Sequence, residues 1–537
     1  MATLVPPPSK RQKLTASNLA KHQQDVPTAP PADLGEVRIQ FVDRSTGTPQ
    51  GDSVLVPLSQ ATTRNLALLV NSIEGRDEAH ERIPYRFFVA VGEGGGADGD
   101  NDTDEIGLAD GDDLYGRLAA ASKGGKLPGT EEVIRVRTAP QAVFKVQVVS
   151  RCSAAVSGHG QPILAAQFSP ASAARLATGS GDNTARVWDC DTGTPLHTLK
   201  GHTSWVLAVS WSPDGTLLAT GSNDATVRLW DPVKGQLEGA ALQGHTKWIT
   251  SLAWEPFHAQ QPGRPRLASS SKDATVRVWD AVAKRIDFAL TGHKGSVSCV
   301  KWGGIGLLYT ASHDKTVKVW SARNGTLVHT LSSHAHWVNH LALSTDAVLR
   351  TAFYDHTGVV PDGLEERRVK ARRRFEAAAA SSEGVPVERL VSASDDTTMF
   401  LWGPFGASAG KNVTKPQARL MGHQKAINYV AFSPDGLHIA SAGFDNHVKL
   451  WQGSSGKFVA TLRGHVGPVY QACFSADSRL LVSASKDTTL KVWEVRTGQM
   501  KGDLPGHKDE VYAVDWSADG KGVGSGGRDK QVRIWKG

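Results

Sequence analysis

Polar and apolar residues alternate along Glu36-Val37-Arg38-Ile39-Gln40-Phe41-Val42, a period of two that predicts a β-strand with one buried face. A turn of Ser, Thr, Gly and Pro follows, and Ser53-Val54-Leu55-Val56-Pro57 predicts a second strand. The period then lengthens. Leu66, Leu69, Val70 and Ile73 fall on one helical face, with Thr62 and Thr63 placed to cap it. Tyr85–Val91 predicts a third strand, residues 92–104 a mobile Gly/Asp-rich loop, Asp113–Ala121 a short helix and Val133–Arg137 a last strand. The order ββαβ(α)β predicts a small α+β domain of the β-grasp, ubiquitin-like arrangement over residues 34–140.

From residue 141 onward one pattern repeats. A His, preceded by Gly in seven of eight units, stands at His159, His202, His245, His293, His334, His423, His465 and His507. Each unit closes on a Trp: Trp188, Trp230, Trp279, Trp320, Trp402, Trp451, Trp493 and Trp535. Six residues before each Trp lies an Asp: Asp182, Asp224, Asp273, Asp314, Asp396, Asp445, Asp487 and Asp529. A period of roughly 40–45 residues with these ends marks a four-stranded propeller blade. The fold class is therefore all-β, an eight-bladed WD-repeat β-propeller over 141–537 behind the β-grasp domain. The last unit has no outer strand after Trp535, and Ala142–Val149 reads as a spare one. Pairing of 142–149 with 530–535 is expected to close the ring and remove two sheet edges.

The fifth unit breaks the spacing. His334 and Asp396 are 62 residues apart, against 21 to 28 elsewhere. The excess, near 351–388, contains Glu365–Glu376, with six Lys or Arg between 367 and 374, and predicts a basic helix. Two readings stand: a solvated surface helix, or a contact with RNA phosphates through Arg372, Arg373 and Arg374.

Composition narrows the class. Hydrophobic content of 40% and mean hydropathy of −0.28 fit a soluble globular chain, and there is no apolar run long enough for a transmembrane helix. The N-terminus lacks the charged-then-apolar layout of a signal peptide. Four scattered cysteines, without metal-ligand spacing, fit a reduced intracellular compartment. The net charge of +7 and pI of about 9.1 are a small surplus for 537 residues. Residues 1–33, rich in Pro, Lys and Ser, are expected to be disordered. Lys10, Arg11 and Lys13 form either a nuclear signal or a solubilising tail.

Ser, His, Asp and Trp recur together, but repetition argues against catalysis: a catalytic group is needed once, a structural network in every blade. His202, Asp224 and Trp230 typify that network, with a Ser or Thr beside the indole to complete it. Ser180, Ser222, Ser271, Ser312, Ser394 and Ser485 stand two residues before the Asp, and Gly443 and Gly527 break the series. No phosphate-cradling loop and no zinc spacing appears, so an enzyme is not expected. Binding falls to the loop face, where Trp205, Trp248 and Trp337 recur three residues after the His. Lys272, His313, Lys486 and Arg528 stand just before the turn Asp. These residues either anchor a partner or, for the Trp side chains, pack between blades.

The chain resembles the Notchless family of WD-repeat proteins over nearly all its length. The resemblance is carried by Pro-Pro-Pro-Ser-Lys at 6–10, Ala142-Val143-Phe144-Lys145-Val146, Gly181–Asp189, Lys247–Pro256, His334–His340 and Leu504–Tyr512. It implies a non-catalytic assembly factor for the large (60S) ribosomal subunit, monomeric, nuclear and nucleolar, with no membrane partner. The propeller would dock on the pre-60S particle, meeting rRNA and assembly factors. The ubiquitin-like domain would bind the MIDAS domain of a midasin-like AAA ATPase. On this resemblance Glu131, or alternatively Glu132, supplies an acidic ligand in trans to the Mg²⁺ of that domain, with no cofactor bound by this chain alone. An adaptor in Notch signalling, or one recruiting substrates to a ubiquitin ligase, is the alternative.

Overall fold

The computed structural model describes residues 36–43, 49–73, 85–91, 104–108, 114, 133–140, 146–355, 359–380, 386–406 and 414–537. It divides into two compact units, Met1–Gln141 and Ala142–Gly537.

The first unit is a mixed five-stranded sheet of β1 (Glu36–Asp43), β2 (Val54–Pro57), β3 (Tyr85–Val91), β4 (Asp104–Leu108) and β5 (Val133–Pro140), in the order β2-β1-β5-β3-β4. The β1–β5 pair is parallel, from Arg38 opposite Val133 to Asp43 opposite Thr138. The other pairs are antiparallel. The alternation in β1 does what its period demands: Val37, Ile39 and Phe41 are buried while Glu36 and Arg38 are exposed. Helix α1 (Thr63–Ile73) seats Leu66 and Val70 in the same core as Phe87, Val89 and Val136, with Leu69 and Ile73 packed at its margin. Thr62 Oγ1 accepts from the Asn65 amide at 3.4 Å, the capping expected at this start. A central parallel pair with one helix across the sheet is a β-grasp. It holds one strand more than the sequence pattern suggested, since β4 lies at the end of the Gly/Asp-rich stretch. The remainder of that stretch, 92–103, lies outside the described residues, as does the expected helix at 113–121 apart from Leu114. Leu114 is buried and donates its amide to Ala61 O at 3.0 Å.

The second unit is a ring of eight four-stranded antiparallel sheets. Each inner strand carries a register shift near its start, such as that between Val206 and Ala208, which bends it at the channel. Blades press on one another where small residues allow. A Cβ on Gly221 would lie 2.5 Å from Ile249 Cγ2 of the next blade, and one on Gly526 the same distance from Ile163 Cγ2. The second contact seats blade eight on blade one.

Ring closure differs from the expectation. The strand that completes the last blade is β6 (Arg151–Ser157), not 142–149, and it pairs antiparallel with Gln531–Lys536, Ser157 opposite Gln531 and Arg151 opposite Lys536. Residues 146–150 form no strand; Val146 and Val149 are buried against Leu480, Val482, Val492 and Leu504 of blade seven. Asp477 Oδ2 accepts from the Val146 amide at 3.0 Å and Arg479 donates to its carbonyl at 3.1 Å. The reason lies in the outermost position of β6. An outer strand is solvated along most of its length, so Arg-Cys-Ser-Ala-Ala-Val-Ser needs only Ala154 and Val156 to pack, and carries no apolar signal. The apolar segment before it serves as a strap under a neighbouring blade.

The insertion of the fifth blade folds into two helices, α2 (Asp346–Thr351) and α3 (Leu364–Ala378). It runs across the face opposite the His-bearing loops. Arg350 forms a two-pronged ion pair with Asp515 of blade eight at 2.8 and 2.7 Å. Tyr354 donates its hydroxyl to Asp214 O of blade two at 2.9 Å, and Phe353 meets Phe257 of blade three edge-on at 4.9 Å. One insertion thus ties four blades together.

Candidate functional site

The repeated His, Asp and Trp converge with a hydroxyl in every blade. His Nδ1 donates to the Asp carboxylate at 2.7–3.0 Å in all eight. The Trp indole donates at 2.7–2.9 Å to Thr178, Thr220, Ser269, Thr310, Ser392, Ser441, Ser483 or Ser525. That hydroxyl in turn donates to His Nε2 at 2.7–2.9 Å. Direction follows from chemistry: a carboxylate only accepts and an indole only donates, so one ring tautomer satisfies the whole chain. Burial pushes the Asp224 carboxyl upward, but hydrogen bonds from His202 and Thr226 outweigh it and hold it well below the usual carboxylate range. The same balance brings Asp273 and Asp445 to about 2. Among the described residues no tetrad atom is buried without a partner. Eight closed copies are a structural device, and none leaves a group free to act on a substrate.

The Ser two residues before the Asp has a separate task. Ser222 Oγ accepts from the Asp224 amide at 3.1 Å and donates to Ser204 O at 2.9 Å, tying the turn to the loop above it. In the sixth blade Gly443 is required rather than lost, because a Cβ there would lie 2.5 Å from His423 Nδ1. At Gly527 a Cβ would run into Glu510 O.

The loops that carry these groups form one face of the ring. Trp205, Trp248 and Trp337 sit on it 55%, 47% and 46% exposed, so they lie over the blade borders and not between blades. Trp205 leans toward Gly181 of the preceding blade, where a Cβ would stand 3.7 Å from the indole. Lys272 holds its ammonium 4.1 Å from the centre of the Trp248 ring. His313 stacks on Trp337 at 4.5 Å and 7°. Burial lowers the pKa of His313, Asp395 raises it, and Lys272 and His336 lower it further, so the side chains of blades three to five are electrostatic neighbours. Lys486 and Arg528 behave differently: both reach Glu510, at 3.5 and 3.7 Å, and Arg528 also Asp509 at 3.7 Å. In blades seven and eight these two cations are therefore partly offset by acidic neighbours, while Lys508 and Lys530 are exposed beside them.

Helix α3 corrects part of the basic-helix reading. Arg372 and Arg373 are exposed, and among the described residues Arg372 pairs with Glu376 of its own helix at 2.8 Å. Arg374 points inward. It donates to Ala352 O and Tyr354 O, and to Thr351 Oγ1 at 3.1 Å, so it holds the insertion together and does not face RNA. Burial accordingly lowers its pKa.

Comparison with known proteins decides the family. The WD domain, G-beta repeat model matches residues 150–189, 193–231, 238–280, 285–321, 414–452, 456–494 and 498–536. The chain is 54% identical over 459 residues to Ribosome assembly protein 4 of Chaetomium thermophilum, covering 86% of this chain and 85% of that protein. It is 52% identical to Ribosome assembly protein 4 of Saccharomyces cerevisiae, again over 86% and 85%. Protein Notchless of Drosophila melanogaster is 42% identical over 78% of this chain and 79% of its own. This chain belongs to the Notchless family. Its ring also resembles the crystal structure of a computationally designed protein, with a TM-score of 0.55 and 25% identity over 72% of this chain and 100% of that one.

The repeat model skips one blade of this Notchless-family ring, the fifth, whose inner two strands are separated by the insertion. Sequence reasoning left the tetrad hydroxyls unnamed, although a fixed offset of ten residues before each Trp marks them. It also missed Lys247, Lys294 and Lys315, which are exposed on the loop face, and Glu388 at the root of the insertion. Burial drives the Glu388 carboxyl up to about 7, against hydrogen bonds from Thr345 and the Gly304 amide. Glu131 and Glu132 lie outside the described residues, as do Lys10, Arg11 and Lys13. Among the described residues no cluster of His, Cys, Asp and Glu could hold a metal ion.

Proposed function

We propose that this chain is a non-catalytic assembly factor of the large ribosomal subunit. The observation that carries this reading is 54% identity to Ribosome assembly protein 4 along 85% of that relative's length, propeller and N-terminal unit together. The propeller docks on the pre-60S particle in the nucleolus and nucleus. The β-grasp domain binds the MIDAS domain of a midasin-like AAA ATPase, so that ATP hydrolysis pulls on the particle through this chain. Two units with separate cores suit that task, since one can be held while the other is drawn.

Glu131, with Glu132 as the alternative, gives its carboxylate to the Mg²⁺ of the partner, an ion that takes hard oxygen ligands in an octahedron. Binding of the full-length protein to a purified MIDAS domain tests this. Glu131→Ala is expected to abolish binding while the melting temperature is unchanged, and a chelator to act as the mutation does. Loss in Glu132→Ala alone moves the ligand by one residue. Binding by both variants, or in chelator, refutes the metal bridge. Sedimentation with pre-60S particles tests the assembly role separately, and a chain that stays at the top of the gradient refutes it.

A further inference from the structure

We infer that the loop face over blades two to five is a docking surface for unpaired RNA. This rests on the assembly reading above and names the partner of that face. Four adjacent blades carry a row of Trp205, Trp248 with Lys272, and His313 with Trp337, each indole about half exposed. Lys247, Lys272, Lys294 and Lys315 are exposed on the same arc, and none is in an ion pair among the described residues. The turn aspartates beneath them, Asp224, Asp273, Asp314 and Asp396, are already bonded within their tetrads. Asp395, the carboxylate beside the row, is occupied by Asn339 at 2.7 Å and lies 3.6 Å from His336.

The arc therefore offers half-exposed rings and ammonium groups outside any ion pair among the described residues, the pairing that a single strand of RNA answers with bases and phosphates. The chemistry selects RNA over an extended peptide. A peptide strand needs main-chain groups to pair with, and here the carbonyls of Trp205, Trp248 and Trp337 are taken by the amides of Asn223, Lys272 and Asp395 at 2.8, 2.9 and 3.0 Å. It also selects unpaired over duplex RNA, because stacked bases in a helix have no free face for an indole. The opposite sector, where Lys486 and Arg528 pair with Glu510, has no indole at the matching positions, which hold Pro468 and Glu510.

The test is fluorescence anisotropy of the full-length protein with a labelled single-stranded RNA of about a dozen nucleotides, beside a hairpin duplex of similar length. The single strand is expected to bind more tightly than the duplex. Trp248→Ala and Trp337→Ala are each expected to weaken it by about tenfold, since one lost base stack is worth 1–3 kcal/mol. Trp337→Phe should recover part of that loss. Each of Lys272→Gln and Lys294→Gln should take about 0.7 from the slope of log affinity against log salt, while Lys486→Gln leaves it unchanged. The proposal is overturned if the wild type binds neither probe, if duplex and single strand bind alike with the Trp variants unaffected, or if oligoglutamate displaces the RNA and is itself insensitive to the Trp changes. Particle sedimentation by the wild type separates the two readings. Sedimentation without oligonucleotide binding overturns the RNA surface alone, whereas no sedimentation refutes the assembly role whatever the anisotropy shows.

Discussion

Asp224→Ala is the most direct probe of what holds a blade together. The carboxylate accepts four hydrogen bonds: from His202 Nδ1 at 2.9 Å, the Thr203 amide at 3.0 Å, and the Thr226 amide and hydroxyl at 2.9 and 2.7 Å. These do not weigh equally. The His202 side chain is fully buried, so its N–H loses its acceptor with no water to replace it, at about 1–3 kcal/mol. The Thr203 amide is exposed and recovers a water, and Thr226 contributes about 1 kcal/mol more for its lost turn bonds. The expected destabilisation is about 2–4 kcal/mol. Asp224→Asn should fall between, since its amide oxygen still accepts from His202 while its NH₂ faces the Thr226 donors. Because a propeller need not melt as one unit, native-state hydrogen exchange is the assay, read at the amides of Leu218–Ser222 and Val227–Asp231. Protection should fall in blade two first, with blades five and six little changed. A variant whose protection equals the wild type would show that the tetrad contributes nothing to stability, and would refute the argument for all eight blades.

The other predictions follow the same physics. The tetrad carboxyls, Asp182 to Asp529, are held below their ordinary value, so their contribution is full above the unfolded pKa near 4 and is lost as pH falls through the lowered folded value. Acid titration should therefore leave the ring intact at pH 5 and loosen it below about pH 4, and a transition near pH 6 would contradict this. A chain starting at residue 146 should keep a closed ring, whereas one starting at 159 loses β6, exposes the paired edge of Gln531–Lys536 and should melt lower or aggregate; equal melting of the two would return closure to another segment. Arg350→Ala leaves Asp515, 6% exposed, with the Phe168 amide at 2.8 Å but no cation. It should cost about 2–4 kcal/mol, below the full range for a buried pair because Arg350 is partly exposed, and an unchanged denaturation midpoint would show that the insertion does not brace the ring. Charge reversal at Arg372 and Arg373 should weaken particle association most at low salt, and association unchanged at every salt concentration would make the outer face of α3 a solvated surface.

Blade number, blade order and the absence of a catalytic role were written into the chain, because each depends on signals that are local and repeated. The Trp, the hydroxyl ten residues before it and the Asp six residues before it lie within one hairpin, so a fixed offset is enough to declare the contact. The alternation of β1 and the helical face of Leu66 and Val70 are local in the same way. Tertiary structure decided whatever joins distant segments or depends on exposure. Closure fell to β6, whose polar sequence suits an outer edge and so carries no pattern to read. The brace between Arg350 and Asp515 spans 165 residues and has no period at all. Among identical side-chain types, surroundings alone separated Arg374, folded onto its own loop, from Arg372 in solvent. They likewise separated Lys486, paired with Glu510, from Lys272, held over the ring of Trp248. Sequence records what a residue can do within reach of its own strand, and only packing determines which neighbours have already claimed it.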